Sequence, residues 1–208
     1  MKVFINPKKE SLSQILQRPT FDSVALEETV SNILTNIATG GDAAVKQYTE
    51  QFDQVTLAKT RIGLSEINAA INALDEDLKV AIQQAENNIE AFHSVQKEPI
   101  KEVETMPGVR CWRKSVGIQK VGLYIPGGTA PLFSTILMLG VPARLAGCKE
   151  VILCTPPRKD GTVHPAILYA ANLVGVTKIF KIGGVQAIGA MAYGTETCLL
   201  YTSPSPRD

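Results

Sequence analysis

With 208 residues, 45% of them hydrophobic and 20% charged, the chain has enough apolar material for a sizeable core. Its formal charge of +1 gives no electrostatic reason to expect nucleic acid or an anionic membrane as a partner. The opening MKVFINPKKESLSQILQ contains no apolar run suited to a secretory leader, and no stretch reaches the roughly 18 apolar residues of a membrane helix, so a cytoplasmic protein with four reduced cysteines is expected.

In chain order, residues 21–96 carry a helical pattern. Val24, Leu26, Val30, Ile33, Leu34 and Ile37 recur mostly at three- and four-residue steps and predict one inward face, which Gly40 and Gly41 then stop. Asp42 is expected to cap a second helix that turns Val45, Tyr48 and Phe52 inward. A third stripe, Leu74, Leu78, Ile82, Ala85, Ile89 and Phe92, is the longest helical pattern in the chain.

The texture changes near Pro107. Residues 109–116 (VRCWRKSV) and 118–125 (IQKVGLYI) predict two strands meeting at a tight turn on Gly117. A helix over 134–146, a strand over 150–155, a helix over 165–173, a strand over 178–182 and a helix over 185–192 follow. Strands alternating with helices predict a parallel sheet with crossover helices, and the unbroken apolar run VILC fits burial on both faces. From Cys198 onward CLLYTSPSPRD abandons this pattern, resembles a translated sequencing adapter, and is set apart as a non-native tail.

In an open parallel sheet ligands bind beyond the carboxyl ends of the strands, and two glycine-bearing loops fall there: Tyr124-Ile-Pro-Gly-Gly-Thr and Ile182-Gly-Gly-Val-Gln. Neither is a dinucleotide fingerprint or a P-loop. Gly127 and Gly128 read either as a turn needing positive φ or as a ligand-facing bend. Tyr124 reads as a half-buried aromatic or a ligand contact, and Gln186 as a solvent-facing amide or a partner for ligand hydroxyls. Thr129 and Ser134 are expected as helix caps rather than nucleophiles, His93 and His164 as surface or capping histidines, and Cys111, Cys148 and Cys154 as inert packing. The charges from Lys101 to Glu104 read as a solvated face.

The stretch VGLYIPGGTAPLFSTILMLGVPARLAGCKEVILCTPP, followed by KIGGVQAIGAMAYGTE, resembles histidinol dehydrogenase. The resemblance implies a helical N-terminal region followed by an incomplete Rossmann-like parallel sheet with crossover helices, of the aldehyde-dehydrogenase type. Its divisions are an arm over 1–20, helices over 21–106, an NAD-contacting region over 107–197 and the tail over 198–208. It also implies oxidation of L-histidinol to L-histidine in two NAD-dependent steps, with zinc holding the substrate and a homodimeric full-length enzyme. Carried onto this sequence, the NAD contacts are Tyr124 and Gln186. The family's next NAD contact, an asparagine in FGPGN, and its zinc ligands and proton-handling Glu-His pair match no residue here, so the chain is expected to be an inactive N-terminal piece with neither catalytic nor metal-binding residues. Two other readings remain: a nucleotide-binding module related to the aldehyde dehydrogenases, and a helical interaction protein built on residues 21–96.

Overall fold

The computed structural model describes residues 3–17, 24–128 and 130–198. A 3-10 turn (Lys9–Ser11) and α1 (Leu12–Ile15) belong to the N-terminal arm. There follow α2 (Val24–Asp53), α3 (Leu64–Ala73), α4 (Glu76–Ser94), the strands β1 (Glu102–Met106), β2 (Val109–Trp112) and β3 (Lys120–Tyr124), then α5 (Phe133–Leu145), β4 (Glu150–Thr155), α6 (Pro165–Leu173), β5 (Lys178–Lys181) and α7 (Gly184–Tyr193).

The order β3-β4-β5 forms a parallel sheet, with Val121 opposite Val151 and Leu153 opposite Ile179. Because side chains alternate across a strand, the sheet feeds two apolar layers. Leu123, Val151, Leu153 and Ile179 pack with α5 and α6, backed by α3 and α4, while Ile152, Cys154, Phe180 and Ile182 pack with α2 and α7. Fully burying one Leu or Ile stabilises by roughly 1.5–3 kcal/mol. The two layers therefore hold the fold; β1 and β2, exposed along their whole length, add little. The predicted helical first half and parallel sheet with crossover helices are what the structure contains.

Several expectations change. The hairpin is β1 with β2, turning at Pro107 and Gly108, and β3 leaves it for the other sheet. Gly108 has φ +82, the left-handed conformation glycine adopts most readily. Gly117, expected at the turn, is instead a close approach: a Cβ there would lie 2.2 Å from the Ala146 carbonyl oxygen. The first helical stripe begins later than predicted, since Val24 and Leu26 are exposed while Ile33 and Ile37 are buried. Phe52 is also exposed, stacked on Tyr48. The third stripe forms α4 from Leu78 onward, with Leu74 just outside it at the C-cap of α3, because Asp75 accepts from the Asp77 and Leu78 N–H groups and starts the helix there; Phe92 near its end is exposed.

At Gly40–Gly41 the helix bends rather than stops. Gly41 takes φ 51 and ψ −136 inside α2. The Asp42 N–H donates to Glu196 Oε2 at 2.8 Å, and the Asp42 carboxylate accepts from the Thr197 hydroxyl at 3.0 Å, so Asp42 ties the bend to the far end of the chain instead of capping its own helix. Cys198, the first residue of the segment set apart in the sequence, is fully buried in the α2–α7 layer. Residues 199–208 lie outside the described residues.

Candidate functional site

Parallel strands deliver their next loops to one rim, and β3, β4 and β5 end there at Tyr124, Thr155 and Lys181. The first two loops lead to α5 and α6 on one face of the sheet; the third leads to α7 on the other. Loops from opposite faces thus meet over the carboxyl end of the sheet. Tyr124 is half-buried, and its hydroxyl accepts the Gly184 N–H at 3.0 Å, joining the first loop to the third.

The geometry tightens around the second glycine pair. Gly184 has φ +55, and a Cβ there would lie 2.7 Å from Gln186 Oε1, so the Gln186 side chain folds back over it. Gln186 is 1% exposed, and among the described residues neither its Oε1 nor its Nε2 has a hydrogen-bond partner. An unpartnered buried amide costs about 1–3 kcal/mol, which makes this side chain the strongest sign of a ligand position. A Cβ on Gly183 would meet Pro156 Cβ at 2.6 Å and Asp53 Oδ1 at 3.2 Å. A Cβ on Gly127 would meet Pro156 Cγ at 2.6 Å, whereas nothing lies within 4 Å of one on Gly128. Pro156 is therefore wedged between the two glycine pairs, and residues 126–128 remain open to solvent.

Asp53 enters from the C-terminal end of α2, a helix with no basic residue in its last turn. Its Oδ2 is buried without a partner, and burial pushes the carboxyl pKa up. The helix dipole does not favour a carboxylate at its own helix's C-terminus. Sequence reasoning missed this residue: an aspartate ending EQFD carries no local signal, and only the tertiary fold places it beside Gly183.

Of the sequence-named residues, the rim brings together Tyr124, Gly127, Gly128 and Gln186. Neither Gly127 nor Gly128 has positive φ, so the turn reading gives way to close approach at Gly127 and open space at Gly128. Gln186 is buried, not solvent-facing. Ser134 lies inside α5, whose N-cap Leu132 has no side-chain cap bond; Thr129 lies outside the described residues. His164 caps α6, its Nδ1 accepting from the Ala166 N–H, while His93 ends α4 against Gln96. Cys154 is buried, and its hydrogen bond with Cys198 together with desolvation raises its pKa well above normal; Cys111 is exposed on the hairpin rather than packed. Lys101, Glu102, Val103 and Glu104 are exposed. Among the described residues no group of three or more His, Cys, Asp and Glu side chains could hold a metal ion, and no helix is long and apolar enough to cross a membrane.

A cavity of about 670 Å³ lies elsewhere, between the end of α4 and the segment before β3, with Lys97, Lys101, Arg113 and Lys114 on its wall. None of its lining residues carries a buried unpartnered polar atom. The rim, with two such residues, is the better candidate.

The rim can hold a ligand with both hydroxyls and phosphates. Asp53 and Gln186 offer acceptors and an amide donor near Gly183, while the open bend at Gly128 leads to α5, whose N-terminal N–H groups favour anions. The histidinol dehydrogenase family profile matches residues 16–200. Histidinol dehydrogenase of Bacteroides thetaiotaomicron is 56% identical over 197 residues, 95% of this chain and 46% of that protein. The Escherichia coli O6:H1 enzyme of the same name is 49% identical over 189 residues, 90% of this chain and 43% of its own length. The crystal structure of histidinol dehydrogenase from Elizabethkingia anophelis superposes with a TM-score of 0.88 at 48% identity, covering 95% of this chain and 46% of that one. The chain spans about half the length of the curated relatives it matches.

Proposed function

The chain belongs to the histidinol dehydrogenase family, and on that premise we propose that it supplies the NAD-binding rim of an oxidoreductase converting L-histidinol to L-histidine through the aldehyde in two NAD-dependent steps. The observation that carries the reading is Gln186: a side chain 1% exposed with both amide atoms unpartnered, at the rim where loops from opposite faces of the sheet meet. Its fit to NAD is chemical, since an amide both donates to and accepts from ribose hydroxyls. Bound NAD would supply the hydride acceptor for each oxidation.

The chain's own residues bind and orient. The bond from the Gly184 N–H to Tyr124 Oη holds the ring against the third loop and keeps the two loops at a set separation. Gln186, shut off from water, gains on binding the hydrogen bonds that the unliganded rim denies it. The missing Cβ of Gly128 leaves the bend clear for a phosphate to approach the backbone. The zinc ligands and the proton-handling Glu-His pair that the resemblance implies match no residue of this chain. The homodimeric and cytoplasmic character implied by the resemblance belongs to the same proposal; the exposed Val103, Met106, Val109 and Trp112 of the hairpin support contact with a further surface.

Calorimetric titration of the 208-residue polypeptide with NAD tests the reading. Binding that weakens at least tenfold in both Tyr124→Ala and Gln186→Ala is expected, with no histidinol-dependent NADH production. Absence of NAD binding, or binding indifferent to both substitutions, would refute the rim as the cofactor site.

A further inference from the structure

Charge divides the rim into two corners. Asp53 brings a carboxylate next to Gly183, at the N-terminus of α7, with Oδ1 3.2 Å from the position a Cβ on Gly183 would take. A dinucleotide pyrophosphate placed there would meet a like charge in a poorly solvated setting. The phosphates are thereby directed to the other corner, the exposed bend at Gly127 and Gly128 ahead of the uncapped N-terminus of α5. What remains for the Gly183 corner is the part of the ligand that donates hydrogen bonds without negative charge.

Two independent observations mark that corner as built for such a group. Asp53 Oδ2 is buried with no partner, and Gln186, 1% exposed, leaves both amide atoms unpartnered on the neighbouring turn. A carboxylate accepts only, an amide does both, and a ribose diol supplies two adjacent hydroxyls that can satisfy them together. Among the described residues no cation or donor reaches Asp53 Oδ2.

We propose that Asp53 accepts a hydrogen bond from a ribose diol of the bound dinucleotide, with Gln186 beside it. The assignment rests on the rim being the NAD site. Either ribose carries the required chemistry. If the diol belongs to the adenosine, a 2′-phosphate brings its charge against Asp53 and NADP is rejected; if it belongs to the nicotinamide riboside, NADP is tolerated.

The test compares the protein with its Asp53→Asn variant by calorimetric titration against NAD, NADP and NAD analogues lacking the 2′-hydroxyl of one ribose or the other. A hydrogen bond to a charged acceptor predicts that Asp53→Asn weakens NAD by roughly 10- to 100-fold. One deoxy analogue should weaken binding by a similar factor in the protein and by much less in the variant, because each change removes the same bond. Coupling to the adenosine analogue together with a narrowed NAD-to-NADP preference in the variant assigns the adenosine ribose; coupling to the other analogue alone assigns the nicotinamide ribose. Equal losses in protein and variant for both analogues would overturn the role of Asp53, while a loss of at least tenfold in Gln186→Ala would leave the rim intact. Failure of the unmodified protein to bind NAD would remove the rim reading and this one with it. The variant's melting temperature is a second readout. Asparagine is isosteric and removes an unpartnered buried charge, so it should rise or hold; a fall of more than a few degrees would mark Asp53 as structural and sink the proposal.

Discussion

Replacing Gln186 with leucine separates a side chain kept for a ligand from one kept for the fold. The residue is 1% exposed, lies in the first turn of α7, and has no partner for Oε1 or Nε2. An amide withdrawn from water without compensation costs about 1–3 kcal/mol. Leucine has similar volume and no polar atoms, and Gly184, over which the side chain folds, has no Cβ to obstruct it. The unliganded protein should therefore gain about 1–3 kcal/mol, and at about 2–4 °C per kcal/mol for a chain of this size its melting temperature should rise by roughly 2–12 °C. NAD binding should be lost in the same variant. Scanning calorimetry with and without NAD measures both effects. A melting temperature lowered by the substitution would show that the amide is already satisfied in the folded state, and the case for a ligand at the rim would fall with it.

Three other outcomes follow from the packing. Gly140→Ala puts a Cβ 2.3 Å from Val174 Cγ2 where α5 meets α6, so urea denaturation should show a loss of about 1–3 kcal/mol, recovered in part by Val174→Ala. Arg144→Met strips Glu86, which is 3% exposed, of the guanidinium that ties α4 to α5. Leaving a buried carboxylate unpaired costs about 3–5 kcal/mol, and the partial exposure of Arg144 places the expected loss, again by urea denaturation, near the lower figure. His164 should make stability fall in acid. Desolvation, helped by the charge of Arg158, lowers its pKa, so the folded protein binds the proton less readily than the unfolded chain. The stabilisation is full above the ordinary imidazole pKa and is lost as pH drops through the depressed value. His164→Asn, which keeps a capping acceptor for the Ala166 N–H, should show a smaller loss between about pH 8 and about pH 5 in the same assay.

The strands and helices after Gly117 were legible because their signals are local. The run VILC is apolar without a break because both faces of β4 are covered, and Pro165 follows a capping histidine, as the start of a helix should. Tyr124 and Gln186 could be named through the family resemblance, and both reach the rim. The hairpin was misplaced because a single glycine reads alike whether it supplies a positive φ, as Gly108 does, or clears a carbonyl from a distant helix, as Gly117 does.

By itself, then, the sequence determined the alternation of elements, the parallel character of the sheet and the loops that could face a ligand, since each depends on residues within a few positions of one another. The tertiary structure alone decided that α7 crosses to the opposite face from α5 and α6, that Pro156 separates the two glycine pairs, and that the end of α2 carries Asp53 to Gly183. Those relations join residues as far apart as Asp53 and Gly183, where closeness is set by how two apolar layers pack on one sheet and by nothing either segment encodes locally.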